Sequence, residues 1–166
     1  IYQGMSFIFV QNMHYFERDN LYGYNDDAER FSCFSYSILE AMNILDYYPE
    51  ILHLNDWQTG MVPFLLDEHY RQQNNGYFSI HTLLTIHNLE YQGSFDPYVA
   101  RFFNTDFDYT YIHFDRVNFL KAGIQRATKI NTVSPSYSKE ILTEEFGFTL
   151  DGALNSRKED LFGILN

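Results

Sequence analysis

Residues 51–60 (ILHLNDWQTG) and 85–93 (TIHNLEYQG) share one pattern, a short apolar run that breaks abruptly into polar, hydrogen-bonding and aromatic side chains. A buried parallel strand running into a loop has this pattern, and open α/β sheets collect their ligands at the carboxyl ends of such strands. One run ends in Asn55, Asp56 and Trp57, the other in His87 and Asn88. Two strand ends about thirty residues apart match successive βα units that aim their functional groups into one crevice.

The rest of the chain supports that reading. Residues 5–11 (MSFIFVQ) and 51–54 predict strands, and residues 14–25 a tyrosine-rich loop. Asp26 or Asp27 is a candidate cap for a helix reaching about Leu45, with Phe31, Phe34, Ile38, Met42 and Leu45 as its core stripe. A helix over 57–71, a turn-rich stretch over 72–77 and a strand over 79–86 follow. Residues 88–111 form an irregular stretch, long enough to be a candidate binding loop. A helix over 115–127 and a strand over 129–133 come next. Ser134 and Pro135 then cap a helix closed by Gly147. Ser156 and Glu159 have the spacing of a capping box before a short helix, and residues 161–165 predict the last strand. Alternating strands and helices make a Rossmann-like, doubly wound, mostly parallel sheet the expected fold, as one domain over the 166 residues.

Composition narrows the function classes. A formal charge of −11 disfavours nucleic acid and anionic membrane as partners, since both require a basic face. It also leaves few cations for a phosphate ligand. No apolar run approaches the roughly 20 residues needed to span a bilayer, and no secretory signal opens the chain. The single Cys33 excludes a disulfide framework. The first residue is Ile, and the last follows an apolar run, so both ends read as cut from a longer protein. Among 14 Tyr and 16 Phe, core packing is the default, and function is reserved for aromatics beside polar strand ends.

Five ordered motifs carry a family resemblance: LYGYNDDAERF at 21–31, HLNDWQTG at 53–60, TIHNLEYQG at 85–93, FLKAGIQRATKINTVSPSYSKEI at 119–141, and GILN at 163–166. The chain resembles the amino-terminal domain of bacterial glycogen synthase and plant starch synthase, the ADP-glucose glucosyltransferases of GT-B architecture. The resemblance implies an acceptor-side domain whose partner domain holds the nucleotide. A glycine-rich Lys-Thr-Gly-Gly-Leu loop, which the family places near its amino terminus, is not in this sequence. The implied donor is ADP-glucose, bound mostly through the absent domain, and the implied acceptor an α-1,4-glucan. The implied reaction is retaining, with no metal or cofactor, and the implied compartment cytoplasmic. The fragment alone is expected to be inactive.

The resemblance carries over to individual residues. His87 matches the histidine that lies against the donor glucose, and Asp56 the aspartate facing the acceptor side. An imidazole and a carboxylate there suit hydroxyl recognition and stabilisation of positive charge. Asp56 is equally suited to capping the helix that follows. Asn88 suits sugar hydroxyls or a turn. Tyr22 and Tyr24 match tyrosines near the acceptor cleft, and helix-entry packing is the competing role. Asn55 and Gln58 stand where relatives commonly have histidine. Trp57 reads as a packing anchor and Ser134 as an N-cap. Two further readings compete: a non-catalytic glucan-binding or regulatory module of the same fold, and a metallohydrolase using His53, Asn55, Asp56, His87 and Asn88. His53, inside its apolar strand, reads better as an alternate-face histidine. Within the enzyme class, a relative using UDP-glucose is the variant.

Overall fold

The computed structural model describes residues 4–73, 75–105 and 109–165. Its frame is a parallel four-stranded sheet in the order β1 (Ile51–Asn55), β2 (His81–Ile86), β6 (Lys129–Thr132), β7 (Leu161–Gly163). The order rises steadily along the chain, so each right-handed crossover steps the same way and delivers its helix to the same face. Burial follows: Leu54, Leu84, Ile86 and Ile130 are sealed under that layer, whereas Ile51, His53, Asn55 and Lys129 alternate onto the more open face. The layer contains α2 (Asp27–Ile44), α3 (Val62–Leu65) and α5 (Phe119–Arg126), with α2 and α5 both touching α3. This is the mostly parallel α/β architecture expected from the alternation of elements.

Details depart from expectation where tertiary partners decide. Residues 5–11 form no strand. Met5 makes an isolated bridge, Phe7, Ile8 and Phe9 are exposed, and α1 (Met13–Phe16) overlaps the start of the predicted loop. An apolar alternation needs a neighbouring edge to become a strand, and the β1 edge is not paired with it. In α2 the fully buried line runs through Ala28, Ser32, Ser35, Leu39 and Met42. Phe31, Phe34 and Ile38 are only half-buried and Leu45 is exposed. The small residues allow close approach to α3, and each serine hydroxyl donates back to its own helix, Ser32 to Ala28 and Ser35 to Phe31.

The helix predicted over 57–71 is a 3₁₀ turn (Trp57–Thr59), then α3, then a wide π turn (Leu66–Tyr70). A one-turn helix α4 (Asn75–Phe78) occupies part of the turn-rich stretch. The helix predicted from 115 starts at Phe119, because 116–118 form a strand. There β3 (Ser94–Phe95), β5 (Arg116–Asn118) and β4 (Ile112–His113) make a small antiparallel sheet with Val117 fully buried. Asn118 ends β5 and caps α5, its Oδ1 accepting the Lys121 amide hydrogen at 2.8 Å. The 88–111 stretch holds β3 and a 3₁₀ turn, Pro97–Phe103, and its residues 106–108 lie outside the described residues. Ser134 Oγ accepts the Tyr137 amide hydrogen at 3.0 Å, but α6 (Tyr137–Glu140) is a single turn ending well before Gly147. Ser156 instead closes α7 (Asp151–Asn155), donating to Ala153 O at 2.7 Å, so the capping box does not form.

The core joins the sheet to this helical layer through aromatic edges. Trp57, 5% exposed, meets Phe31 at 4.7 Å and Phe95 at 5.7 Å between ring centroids. Gly93 (φ 61°) lies so close to the indole that an added Cβ would fall 2.4 Å from Trp57 Cε3. The two motifs 53–60 and 85–93 are therefore wedged together in space.

Candidate functional site

The ends of β1 and β2 are adjacent because the strands pair in register from Ile51 with His81 to Asn55 with Thr85. Asp56, one residue past β1, takes a left-handed backbone (φ 55°, ψ −168°) that normally favours glycine. It is held there by its amide hydrogen, donated to Thr85 O at 2.9 Å, and by its carboxylate, whose Oδ1 accepts the His87 amide hydrogen at 2.8 Å. The carboxylate thus does not cap the turn after the strand; that turn has no side-chain cap. His87 is exposed, and its Nε2 sits 3.0 Å from Asn55 Oδ1. Asn55, Asp56 and His87 form one hydrogen-bonded constellation at two strand ends.

Asn88 is exposed beside it, its Oδ1 accepting the Glu90 amide hydrogen at 3.0 Å in a local turn. That engages one amide atom in the turn and leaves Nδ2 on the solvent side without a described partner. Leu89 N–H donates to Tyr137 Oη at 3.1 Å, tying this loop to α6.

Tyr22 and Tyr24 sit in different surroundings. Tyr22, 47% exposed, stands edge-on to Trp57 at 6.2 Å. With Gly23, Asp27, Trp57, Glu90, Tyr91 and Phe95 it lines an open cleft of about 610 Å³. Tyr24 is half-buried, with the Arg18 and Arg30 guanidinium carbons 5.2 Å and 5.0 Å from its ring centroid, so its ring is packed as well as polar. Asp27 fixes this loop. It forms a buried ion pair with Arg30 and accepts the Gly23 and Tyr24 amide hydrogens. Arg30 also donates to Tyr15 O at 2.7 Å and Leu21 O at 3.2 Å.

His53 shares the open face of β1 with Asn55 but is bonded to other partners. Its Nε2 lies 2.6 Å from Thr85 Oγ1, which donates to Asn131 Oδ1 at 2.6 Å, a polar row crossing three strands. Among the described residues no three His, Cys, Asp or Glu side chains are grouped as a metal site. No described helix is long and apolar enough to cross a membrane.

Sequence reasoning gives four contributors no role in this arrangement. Asn55 registers there as a polar strand end, a candidate ligand of the metallohydrolase reading and a departure from histidine, Asp27 only as a cap, and Arg30 and Tyr91 only as letters within motifs. Asn55 was readable as the last residue of a strand whose neighbour ends in histidine. The Asp27–Arg30 pair has (i, i+3) spacing but ordinary surface composition, and only its burial distinguishes it.

Comparison with known proteins matches this geometry to a family. Residues 1–156 match the model of the starch synthase catalytic domain. The chain is 70% identical over 166 residues to glycogen synthase of Acholeplasma laidlawii, covering all of this chain and 35% of that protein. It is 45% identical over 172 residues to glycogen synthase of Natranaerobius thermophilus, covering 99% of this chain and 34% of that one. The catalytic domain of starch synthase IV from Arabidopsis thaliana, solved with ADP and acarbose bound, superposes with a TM-score of 0.82 at 34% identity. That match covers 90% of this chain and 31% of the plant one. The chain spans about a third of the length of the curated relatives it matches, and it belongs to the starch synthase catalytic domain family.

Proposed function

We propose that this chain is part of a retaining glucosyltransferase that moves glucose from ADP-glucose to the non-reducing 4-hydroxyl of an α-1,4-glucan. The observation that carries the reading is the fastening of His87 to Asp56 across the ends of β1 and β2, the place where α/β sheets put ligands. The relatives' names support it: glycogen synthases, and a starch synthase solved with ADP and acarbose. His87 faces the donor glucose, and Asp56 lends negative charge to an oxocarbenium-like transition state. Asn88 offers its amide to sugar hydroxyls, and Tyr22 offers a ring edge to the acceptor. Tyr24 contributes by holding the Tyr22 loop.

Retaining enzymes that use a carboxylate nucleophile carry two carboxyl groups about 5 Å apart. Asp56 has its Oδ1 committed to the His87 amide, and its role in this reading is to stabilise charge and not to attack. The leaving phosphate then takes the acceptor proton on the same face of the sugar, and the protein acts by positioning and preorganised charge. The cations for the diphosphate come from a second, nucleotide-binding domain, which closes over this one and excludes water. The compartment is the cytoplasm.

The test is glucose transfer from ADP-glucose to a maltooligosaccharide by the full-length gene product, beside His87→Ala. A loss of at least about 100-fold with an intact fold supports the reading. No transfer by folded wild type from either ADP- or UDP-glucose overturns it and favours a glucan-binding module.

A further inference from the structure

We propose that Asn55 is a positioning residue for His87, setting which imidazole nitrogen carries the hydrogen and so which one is open to a sugar hydroxyl. The inference rests on the reading of His87 as the group facing the donor sugar.

Consecutive residues at the end of β1 hold two separate parts of His87. Asp56 Oδ1 accepts its backbone amide hydrogen at 2.8 Å, and Asn55 Oδ1 lies 3.0 Å from its ring Nε2. The amide oxygen of Asn55 has lone pairs and no hydrogen, so Nε2 must be the donor. A neutral imidazole protonated at Nε2 carries its lone pair at Nδ1, which has no hydrogen-bond partner among the described residues. That nitrogen accepts a hydrogen bond from a hydroxyl. Were the Asn55 amide reversed, its NH₂ would donate to Nε2, and Nδ1–H would become a donor instead. The orientation of one amide therefore decides whether His87 receives or gives a hydrogen bond.

Asn55 is itself anchored. Thr59 Oγ1 takes its amide hydrogen at 2.8 Å and donates to its carbonyl oxygen at 2.9 Å, so both backbone groups are held by one hydroxyl. Thr85, the register partner of Asn55, has its own hydroxyl engaged by His53 and Asn131. The ring of His87 consequently finds its partner in Asn55 and not in the polar row beside it. The Asn55 side chain is exposed and its backbone bonds do not depend on the amide, so replacing it leaves the strand intact.

The experiment is nitrogen NMR of histidine-labelled full-length protein above the imidazole titration, with the His87 signals assigned by their loss in His87→Gln, together with steady-state transfer. Wild type should show His87 with hydrogen on Nε2. Asn55→Ala should give a mixture of tautomers and lower kcat about tenfold, with KM for the donor little changed. Asn55→Asp keeps an acceptor at the same place and should keep the Nε2–H tautomer. Hydrogen on Nδ1 in wild type, or an unchanged tautomer in Asn55→Ala, would overturn the proposal. The two readings fail separately: full transfer by His87→Ala sinks the catalytic reading while the spectra still judge Asn55, and a normal tautomer in Asn55→Ala beside an inactive His87→Ala sinks Asn55 alone.

Discussion

Asp56, whose own φ is 55°, accepts the His87 amide hydrogen through Oδ1 at 2.8 Å. A left-handed backbone outside glycine costs about 1–3 kcal/mol, so strain is stored at the proposed site. With ψ at −168° this is a glycine conformation rather than the αL one that asparagine tolerates, so Asn at 56 keeps the acceptor and the strain, Gly removes both, and Ala keeps the strain and loses the acceptor. Asn and Gly are therefore both expected to be more stable than Ala, with Asp56→Ala about 1–3 kcal/mol below wild type in denaturant melts. Asp56→Asn should still lose transfer by about 100-fold, since the charge is gone while the brace remains. An Asn variant that is stable and fully active would reduce Asp56 to a structural brace.

Asp27 and Arg30 are 7% and 3% exposed at their side chains, and together they fix the loop carrying Tyr22 and Tyr24. Asp27→Asn leaves a buried guanidinium without its counter-charge and should cost about 3–5 kcal/mol. The Arg116–Asp96 pair, 47% and 65% exposed, is the internal control, and Asp96→Asn should cost less than about 1 kcal/mol. Urea midpoints for the two variants give the comparison, and equal losses would mean that the Asp27 pair is not desolvated as described.

The parts of the fold legible in the sequence are those whose pattern and partner coincide. The run 51–54 shows its strand because Leu54 meets the buried helix layer while His53 turns away, and the 85–93 motif shows where its strand stops because polarity begins abruptly where β2 ends. The run 5–11 shows the same alternation and forms no strand, since a strand exists only when an edge accepts it. Arg116, Val117 and Asn118 look helical from the apolar spacing that follows, yet pairing with Ser94 and Phe95, far away in sequence, makes them a strand. The roles of Asn55 and Arg30 depend on contacts 32 and 15 residues distant, which no local pattern encodes.

His113, in β4, bonds through Nε2 to Thr149 Oγ1 at 2.8 Å. Burial lowers its pKa below the usual 6.5, and Lys121 lowers it further against an opposing pull from Asp151. The folded state therefore prefers the neutral ring. This contribution is complete above the unfolded value near 6.5 and is lost as pH falls through the depressed folded value. Thermal melts should show stability declining on acidification below pH about 6.5, with a shallower decline in His113→Gln. An identical slope in both proteins would assign the acid sensitivity elsewhere.

Tyr77 and Tyr70 meet ring to ring at 5.2 Å beneath α2, Tyr77 donating to Leu39 O at 2.7 Å and Tyr70 to Glu40 Oε1 at 2.6 Å. Burial pushes the Tyr77 phenol up to about 12 from its usual 10.0, with Tyr48 and Glu40 adding to the rise. Tyr70 is raised as well, by burial and by the Glu40 carboxylate it serves. A raised phenol pKa favours the protonated folded state, so the contribution is complete below pH 10 and is lost between 10 and 12, as the unfolded chain ionises first. Tyr77→Phe removes one hydrogen bond and one such group together. It should be about 1 kcal/mol less stable than wild type at neutral pH, yet lose less stability on going from pH 10 to 12. The gap between the two proteins should therefore narrow as pH rises, because the phenylalanine has no proton to release. Parallel alkaline melts, with tyrosinate absorbance recorded alongside, measure this, and a gap that stays constant would mean that Tyr77 ionises as readily folded as unfolded.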